Sequence, residues 1–388
     1  MIQNLLERPQ EFKQIPFTLK PQQEQALDNL RTFASSTSAF FLLCGYAGTG
    51  KSTLIFLLIK ELLAQSKRIA LTAPTNKAVG ILRKGDPAQL NPVGEKRSPA
   101  FNIANKAVLT QVVRQAGESP VLDFITECRS FVKSKTDVFL PHPNYNSLDK
   151  SNGAFKVKPE TLIQYAIKII KQEFASNPDC FRILCWTNKR VNYYNQAVRE
   201  QLYGRTTARF ISGERLITKK PVLAPDGKTV ILATSTEFTI QQVEISQHYG
   251  YRVWLLKIVT DDGLFRQIFV LHESENKRYQ AELKEKLKSA KRNGFLWRKY
   301  YWFKDDVFAE VDNCFALTIH NSQGSTFDEV GLDSNDILTR LLVGKEMSSQ
   351  EKLKEYHRLL YVGTSRCRQR ILFVPPNSFR VQRVLGQL

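Results

Sequence analysis

The sequence predicts an α/β protein with parallel strands in two units, the second carrying a smaller β-rich piece. Three observations support this. A short apolar run, Ala39–Cys44, passes straight into a glycine-rich loop and then an apolar stretch at helical spacing. A second strand and helix series opens at Phe181, and from Arg209 to His272 the texture changes to short alternating segments with Asp-Gly turns.

The chain has 388 residues, enough for two to four packed units at about 100–200 residues each. Its 42% hydrophobic content fits a globular protein. Mean hydropathy is −0.30, and no apolar stretch approaches the ~20 residues of a bilayer crossing, which excludes a membrane span. Lys and Arg number 56 against 37 Asp and Glu, a formal net charge of +19. This favours a polyanionic partner over a merely solvated basic surface and says nothing about fold. The six cysteines are scattered without the close pairing of a zinc site or a disulfide scaffold, so they read as buried thiols in a reducing compartment. The N-terminal stretch has acids and no cleavable apolar core, which places the protein in the cytoplasm.

Taken in order, residues 20–35 read as a helix and Ala39–Cys44 as a buried strand. Lys51–Gln65 reads as a helix, Arg68–Ala73 as a second strand and Thr75–Arg83 as a second helix. Strand, glycine loop, helix, strand opens a parallel layer. Asp137–Lys158 is polar, rich in Asn, Pro and Lys, and reads as mostly loop. A strand at Phe181–Cys185 and a helix from Val191 to Leu202 follow. The β-rich stretch Arg209–His272 reads as a small barrel or sheet, with turns at Asp226-Gly227 and Asp262-Gly263, and Gln280–Lys291 is a charged helix. Strands resume at Cys314–Ile319 and Arg370–Val374, around a helix that begins near Gln350.

The run GYAGTGKS, Gly45 to Ser52, fits G-x-x-x-x-G-K-[ST] and lies after a strand and before a helix, where a phosphate-binding loop belongs. Glycines let backbone N–H groups close around phosphates, and the helix N-terminus adds a favourable partial charge. Gly45, Gly48, Thr49, Gly50, Lys51, Ser52 and Thr53 are the expected cofactor-binding residues for ATP. Lys51 is the point charge for the β- and γ-phosphates, and Ser52 is the expected Mg²⁺ ligand.

Such a loop serves many activities. Three later motifs narrow the field: LTAPTNKAV (Leu71–Val79), GDPAQLNPV (Gly85–Val93) and TIHNSQGST (Thr318–Thr326). With the phosphate loop, this set resembles superfamily 1 DNA helicases of the RecD-like and phage Dda branch, over nearly the whole chain from Lys20 to Val374. The resemblance implies a P-loop NTPase with tandem RecA-like domains, an ATP cleft between the lobes and movement 5′ to 3′ on single-stranded DNA and at duplex junctions.

The resemblance also implies residue roles. Gln23 corresponds to a glutamine that reads adenine, and Gln89 to one that senses the γ-phosphate. Arg114 and Arg366 correspond to arginines that approach that phosphate from the second domain. A planar guanidinium stabilises charge developing on a transferring phosphoryl group. Pro74, Thr75, Asn76 and Lys77, with His320, Ser322, Gln323 and Thr326, correspond to strand-contacting loops, and their short polar side chains suit phosphate contacts without sequence readout. Asn321 stands where relatives often carry a lysine. Phe295–Lys304 interleaves aromatics with cations, as either a stacking surface for bases or alternate aromatics of a core strand.

One departure bears on chemistry. The family normally has a strand ending in Asp-Glu ahead of the GDPAQL motif, yet only Gly80–Lys84 separates Val79 from Gly85. A parallel crossover needs about a dozen residues, so the first domain reads as truncated. The missing aspartate would hold Mg²⁺ through water and the glutamate would position the attacking water. Asp86 belongs to its own motif, and Asp328-Glu329 follows the later motif and is no substitute by position.

The expected organisation is a first RecA-like domain over 1–107, a second over 108–208 and 294–388, and a β-barrel-like insertion with a helix over 209–293. The expected activity is ATP-dependent DNA unwinding or translocation. The alternatives are a nucleotide- and DNA-binding remnant without turnover and, more distantly, a P-loop switch acting on another protein.

Overall fold

The computed structural model describes residues 19–45, 49–67, 69, 106–109, 119–146, 148–204, 208–224, 227, 229–344 and 346–386. They fall into two compact units, one holding the described residues up to Leu109 and the other those from Ser119 onward.

In the first unit, helix α1 (Pro21–Ala34) starts with Pro at its first position, where a missing N–H does no harm. Gln23 then folds back so that its Oε1 accepts from the Lys20 N–H at 3.0 Å. Its inner face, Ala26, Leu27 and Leu30, packs with Leu43 of β1 (Leu42–Gly45), Leu54 of α2 (Lys51–Ala64) and Ala107 and Leu109 of β2 (Lys106–Leu109). β1 and β2 pair in parallel with Gly45 opposite Leu109. A Cβ at Gly45 would lie 2.6 Å from the Leu109 carbonyl, so the close approach of β2 requires glycine there. β2 straddles the expected boundary at 107/108. The expected strand Arg68–Ala73, apart from Ile69, the expected helix Thr75–Arg83 and the Val79–Gly85 interval lie outside the described residues.

The second unit is built on a six-stranded sheet. Its strands are β3 (Asn144–Tyr145), β4 (Gly153–Lys156), β5 (Phe181–Cys185), β13 (Ala316–Thr318), β14 (Phe327–Asp333) and β15 (Cys367–Val374). The order is β13-β5-β14-β15-β4-β3, parallel throughout except for β3. Helices α3 (Pro120–Phe131), α4 (Pro159–Glu173), α5 (Asn188–Tyr203) and α9 (Ser349–Thr364) accompany it. α4 and α5 cover it with Leu162, Ile163, Ala166, Ile170, Tyr194 and Val198, packed on Phe181, Ile183 and Phe315.

The segment 137–158 is mostly loop, as expected, and it also holds the two short strands β3 and β4. These strands are too short to show periodicity, and β4 forms by pairing with the distant β15, Gly153 opposite Arg370. Gly153 has φ +134°, and a Cβ there would sit 2.7 Å from that of Tyr145, so the β3 crossing needs glycine.

Between α5 and β13 the chain forms β6 (Arg215–Thr218), β7 (Val222–Leu223), β8 (Val230–Leu232), β9 (Glu237–His248), β10 (Tyr251–Thr260), β11 (Phe265–Leu271) and β12 (Val311–Asn313). Five of these make an antiparallel sheet, β11-β10-β9-β6-β12, over a core of Leu216, Phe238, Ile240, Leu256, Ile258 and Ile268. The Ala309 N–H, just ahead of β12, donates to the Phe269 carbonyl of β11 at 2.8 Å. Gly263, φ +78°, makes the expected turn between β10 and β11.

Helices α6 (Asn276–Arg292) and α7 (Trp297–Tyr301), followed by a π-helical turn Trp302–Asp306, lie between β11 and β12. Tyr279, Leu283, Trp302 and Phe303 dock them onto Tyr251 and Val253. Phe295–Lys304 is therefore helical and not a core strand. Trp297 and Tyr301, four apart, stack at 5.6 Å along one helix face.

Short helices α8 (Ser334–Leu338) and α10 (Ser378–Leu385) complete the unit. All six cysteines are buried, and burial pushes the Cys314 thiol up to about 12.

Candidate functional site

Of the expected phosphate-loop residues, Gly50 and Lys51 sit at the head of α2. Gly50 caps it at φ +82°, a left-handed conformation that glycine adopts without strain. Lys51 is 1% exposed, and its ammonium donates to the Gly45 carbonyl and, at 3.4 Å, lies beside Thr49 Oγ1. The cation thus lies within the turn whose first N–H groups head the helix. Gln23 Nε2 donates to the Thr49 carbonyl at 3.1 Å, and the side chain is 2% exposed. Its amide therefore braces the loop from below, with one bond to α1 and one to Thr49. Thr53 lies in the first turn of α2, half-buried. Gly48, the Ser52 side chain, Pro74, Thr75, Asn76, Lys77, Gln89 and Arg114 lie outside the described residues.

In the second unit, Thr318 ends β13 and the chain turns through Ile319–Thr326. Thr318 Oγ1 accepts from the Asn321 N–H at 3.2 Å, and the buried Ser322 hydroxyl donates to the Ile319 carbonyl at 2.8 Å. Ser322 therefore shapes the turn. Burial lowers the pKa of the half-buried His320, with Glu355 opposing, so its imidazole is neutral near pH 7 and acts as a hydrogen-bonding group. Gln323 Nε2 is buried with no hydrogen-bond partner among the described residues. Thr326 ends the turn, half-buried. Arg366 is 5% exposed. Its Nε donates to the Val362 carbonyl at 3.1 Å and its Nη2 to Ser365 Oγ at 3.0 Å, which ties it to the end of α9.

β13 pairs with β5, Thr318 opposite Cys185, so the loops after both strands leave the same edge of the sheet. That edge carries Trp186, Thr187, Asn188 and Lys189, which the sequence reading passed over. Asp336 shapes this second loop: its carboxylate accepts from the Trp186 and Thr187 N–H groups and from the Thr187 hydroxyl, each at 2.8 Å. A Thr-Asn cap followed by two cations was the available signal. Asp328 and Glu329 lie at the start of β14, toward the opposite edge. Asp328 pairs with Arg368 at 2.7 Å, and Glu329 with Arg370 and the Tyr165 hydroxyl.

A family model described as an AAA domain matches residues 18–85. An uncharacterized protein of Acanthamoeba polyphaga mimivirus is 21% identical, covering 76% of this chain and 69% of its own length. Among solved structures, the chain is similar to a Pif1 helicase from Candida albicans, with 15% identity, TM-score 0.44, and coverage of 96% of this chain and 98% of that one. It is also similar to a Pif1 helicase from Bacteroides in complex with ADP-AlF3 and ssDNA, with 12% identity, TM-score 0.44, and coverage of 95% and 97%. Among the described residues no helix is long and apolar enough to cross a membrane.

Proposed function

We propose that this chain is an ATP-dependent DNA translocase and helicase moving 5′ to 3′. The observation that carries the nucleotide half of the reading is the buried Lys51 at the head of α2, behind a left-handed Gly50 and directly after β1. A triphosphate fits there: the first N–H groups of α2 offer donors, Lys51 supplies the positive charge, and glycines leave room for backbone to approach phosphate. The AAA-domain match over 18–85 supports the same half. Ser52 would hold Mg²⁺, which supplies charge neutralisation at the β- and γ-phosphates.

The DNA half rests on the resemblance of TIHNSQGST and its companion motifs, on the charge of +19, and on the buried Gln323 Nε2 in that loop, which has no hydrogen-bond partner among the described residues. Gln323, His320 and Thr326 would make sequence-independent contacts to a strand. Ser322 keeps the turn in shape. Gln89 and Arg114 would act at the γ-phosphate, and Arg366 would join them by exchanging its bonds to Val362 and Ser365. Gln23 would act on adenine only by loosening its bond to Thr49, so its larger role is to hold the loop.

The short Val79–Gly85 interval favours a second reading, a protein that binds nucleotide and DNA without turnover. Phosphate release measured with Mg²⁺, with and without single-stranded DNA, separates the two. Stimulated release that Lys51→Ala abolishes supports the motor. Nucleotide binding without release supports the remnant.

A further inference from the structure

From Lys286 to Lys304 the sequence holds seven Lys or Arg and no Asp or Glu. The structure folds this stretch into the corner between α6 and α7. The corner is firmly built: the Asn293 side chain accepts from the Phe295 N–H at 3.1 Å, and the Leu296 N–H donates to the Asn293 carbonyl at 3.0 Å. Phe295 stands 94% exposed at its tip, with Tyr301 half exposed further along. Lys286 is paired with Glu282 at 3.0 Å. Lys288, Lys291, Arg292, Arg298 and Lys299 form no ion pair among the described residues, and all five are exposed.

We infer that the α6–α7 corner is an additional binding surface for unpaired nucleic acid, gripping phosphates with Lys291, Arg292, Arg298 and Lys299 and stacking a base on Phe295. Two features point to this partner. Unbalanced cations of one sign complement a polyanion, and a solvent-facing ring carried among them on a hydrogen-bonded backbone turn offers a platform that any base can use. A membrane surface fits less well. Leu296, Trp297 and Trp302 are half-buried against their own unit, which leaves only Phe295 and Tyr301 to enter lipid. The surface lies outside every motif assigned to the motor, so it goes beyond that reading: it would hold a second stretch of strand, apart from the translocation track.

The test uses the full chain with 5-iodouracil-substituted oligothymidylate, a blunt duplex of equal length and anionic phosphatidylserine vesicles. Irradiation is expected to crosslink the oligonucleotide to the peptide carrying Phe295. Phe295→Ala should remove that crosslink and weaken single-strand binding by about five- to a hundred-fold while leaving duplex binding unchanged. A variant with Gln at 291, 292, 298 and 299 should flatten the dependence of log affinity on log salt by up to about 3, at about 0.7 per phosphate neutralised. The inference is overturned if crosslinks fall elsewhere and both variants bind as the parent does, or if the corner variants lose vesicle binding and keep oligonucleotide binding. The motor reading fails separately, through absence of DNA-stimulated phosphate release in the unsubstituted chain.

Discussion

Two sets of cations on neighbouring parts of the second unit are treated in opposite ways. Arg182 on β5 is fully buried between the rings of Phe174 and Phe327, and its Nη2 meets Glu237 of β9 at 2.6 Å. Arg215 of β6 reaches the same carboxylate at 3.0 Å and grips Asp261 with two bonds of 2.7 Å. Burial alone would lower the Arg182 pKa, but Glu237, helped by Cys314 and Asp179, more than offsets it. Burial would likewise raise Glu237, yet the two guanidiniums hold it below the ordinary carboxylate range. This network joins the parallel sheet to the β-rich piece. In the α6–α7 corner, by contrast, Lys288, Lys291, Arg292, Arg298 and Lys299 have no ion-pair partner among the described residues. A charge balanced inside the fold determines shape, whereas one left unbalanced outside is available to a ligand.

The largest effect should come from breaking the balance. Glu237→Ala strands the buried Arg182 guanidinium, leaves Arg215 with Asp261 alone, and should destabilise the second unit by about 3–5 kcal/mol in urea unfolding. Replacing the partners together, Arg182→Met with Glu237→Leu, should recover much of that loss. If the single and double variants unfold alike, the network is not what joins the sheets.

A buried base handled differently sharpens the contrast. His357 on α9 accepts from the Phe139 N–H at 3.2 Å, and burial holds its pKa down to about 4, Asp137 opposing weakly. The unfolded chain, with an ordinary value near 6.5, binds the proton first. Stability is therefore complete above about pH 6.5 and falls as pH drops toward 4, by up to about 3 kcal/mol. Thermal unfolding against pH measures this, and His357→Gln should flatten the slope in that window. The smallest effect belongs to the corner: neutralising residues 291, 292, 298 and 299 should change unfolding free energy by less than about 0.5 kcal/mol. A larger loss would mean those cations serve the fold.

Legibility from the sequence followed whether a feature was local. The phosphate loop was readable because glycine, lysine and the flanking strand and helix are contiguous, and β5 because five apolar-bracketed residues, Phe181–Cys185, are buried together. β4 was not, since its four residues form a strand only by lying beside β15. β14 was hidden for another reason: its sequence FDEVGLD has carboxylates that are matched only in space, Glu329 by Arg370 and Asp333 by Arg190 at 2.7 Å. In Phe295–Lys304 the aromatics were plain, but whether they faced inward depended on α6 docking against β10. At the site, residue types could be read and hydrogen-bond partners could not, which is why the bracing role of Gln23 and the turn-shaping role of Ser322 emerge only from geometry.

The Gln23 amide occupies the space that a side chain at Gly50 would need. Position 50 is therefore closed to a side chain twice over, by its left-handed backbone and by the Gln23 amide, and shortening residue 23 would lift only the second bar.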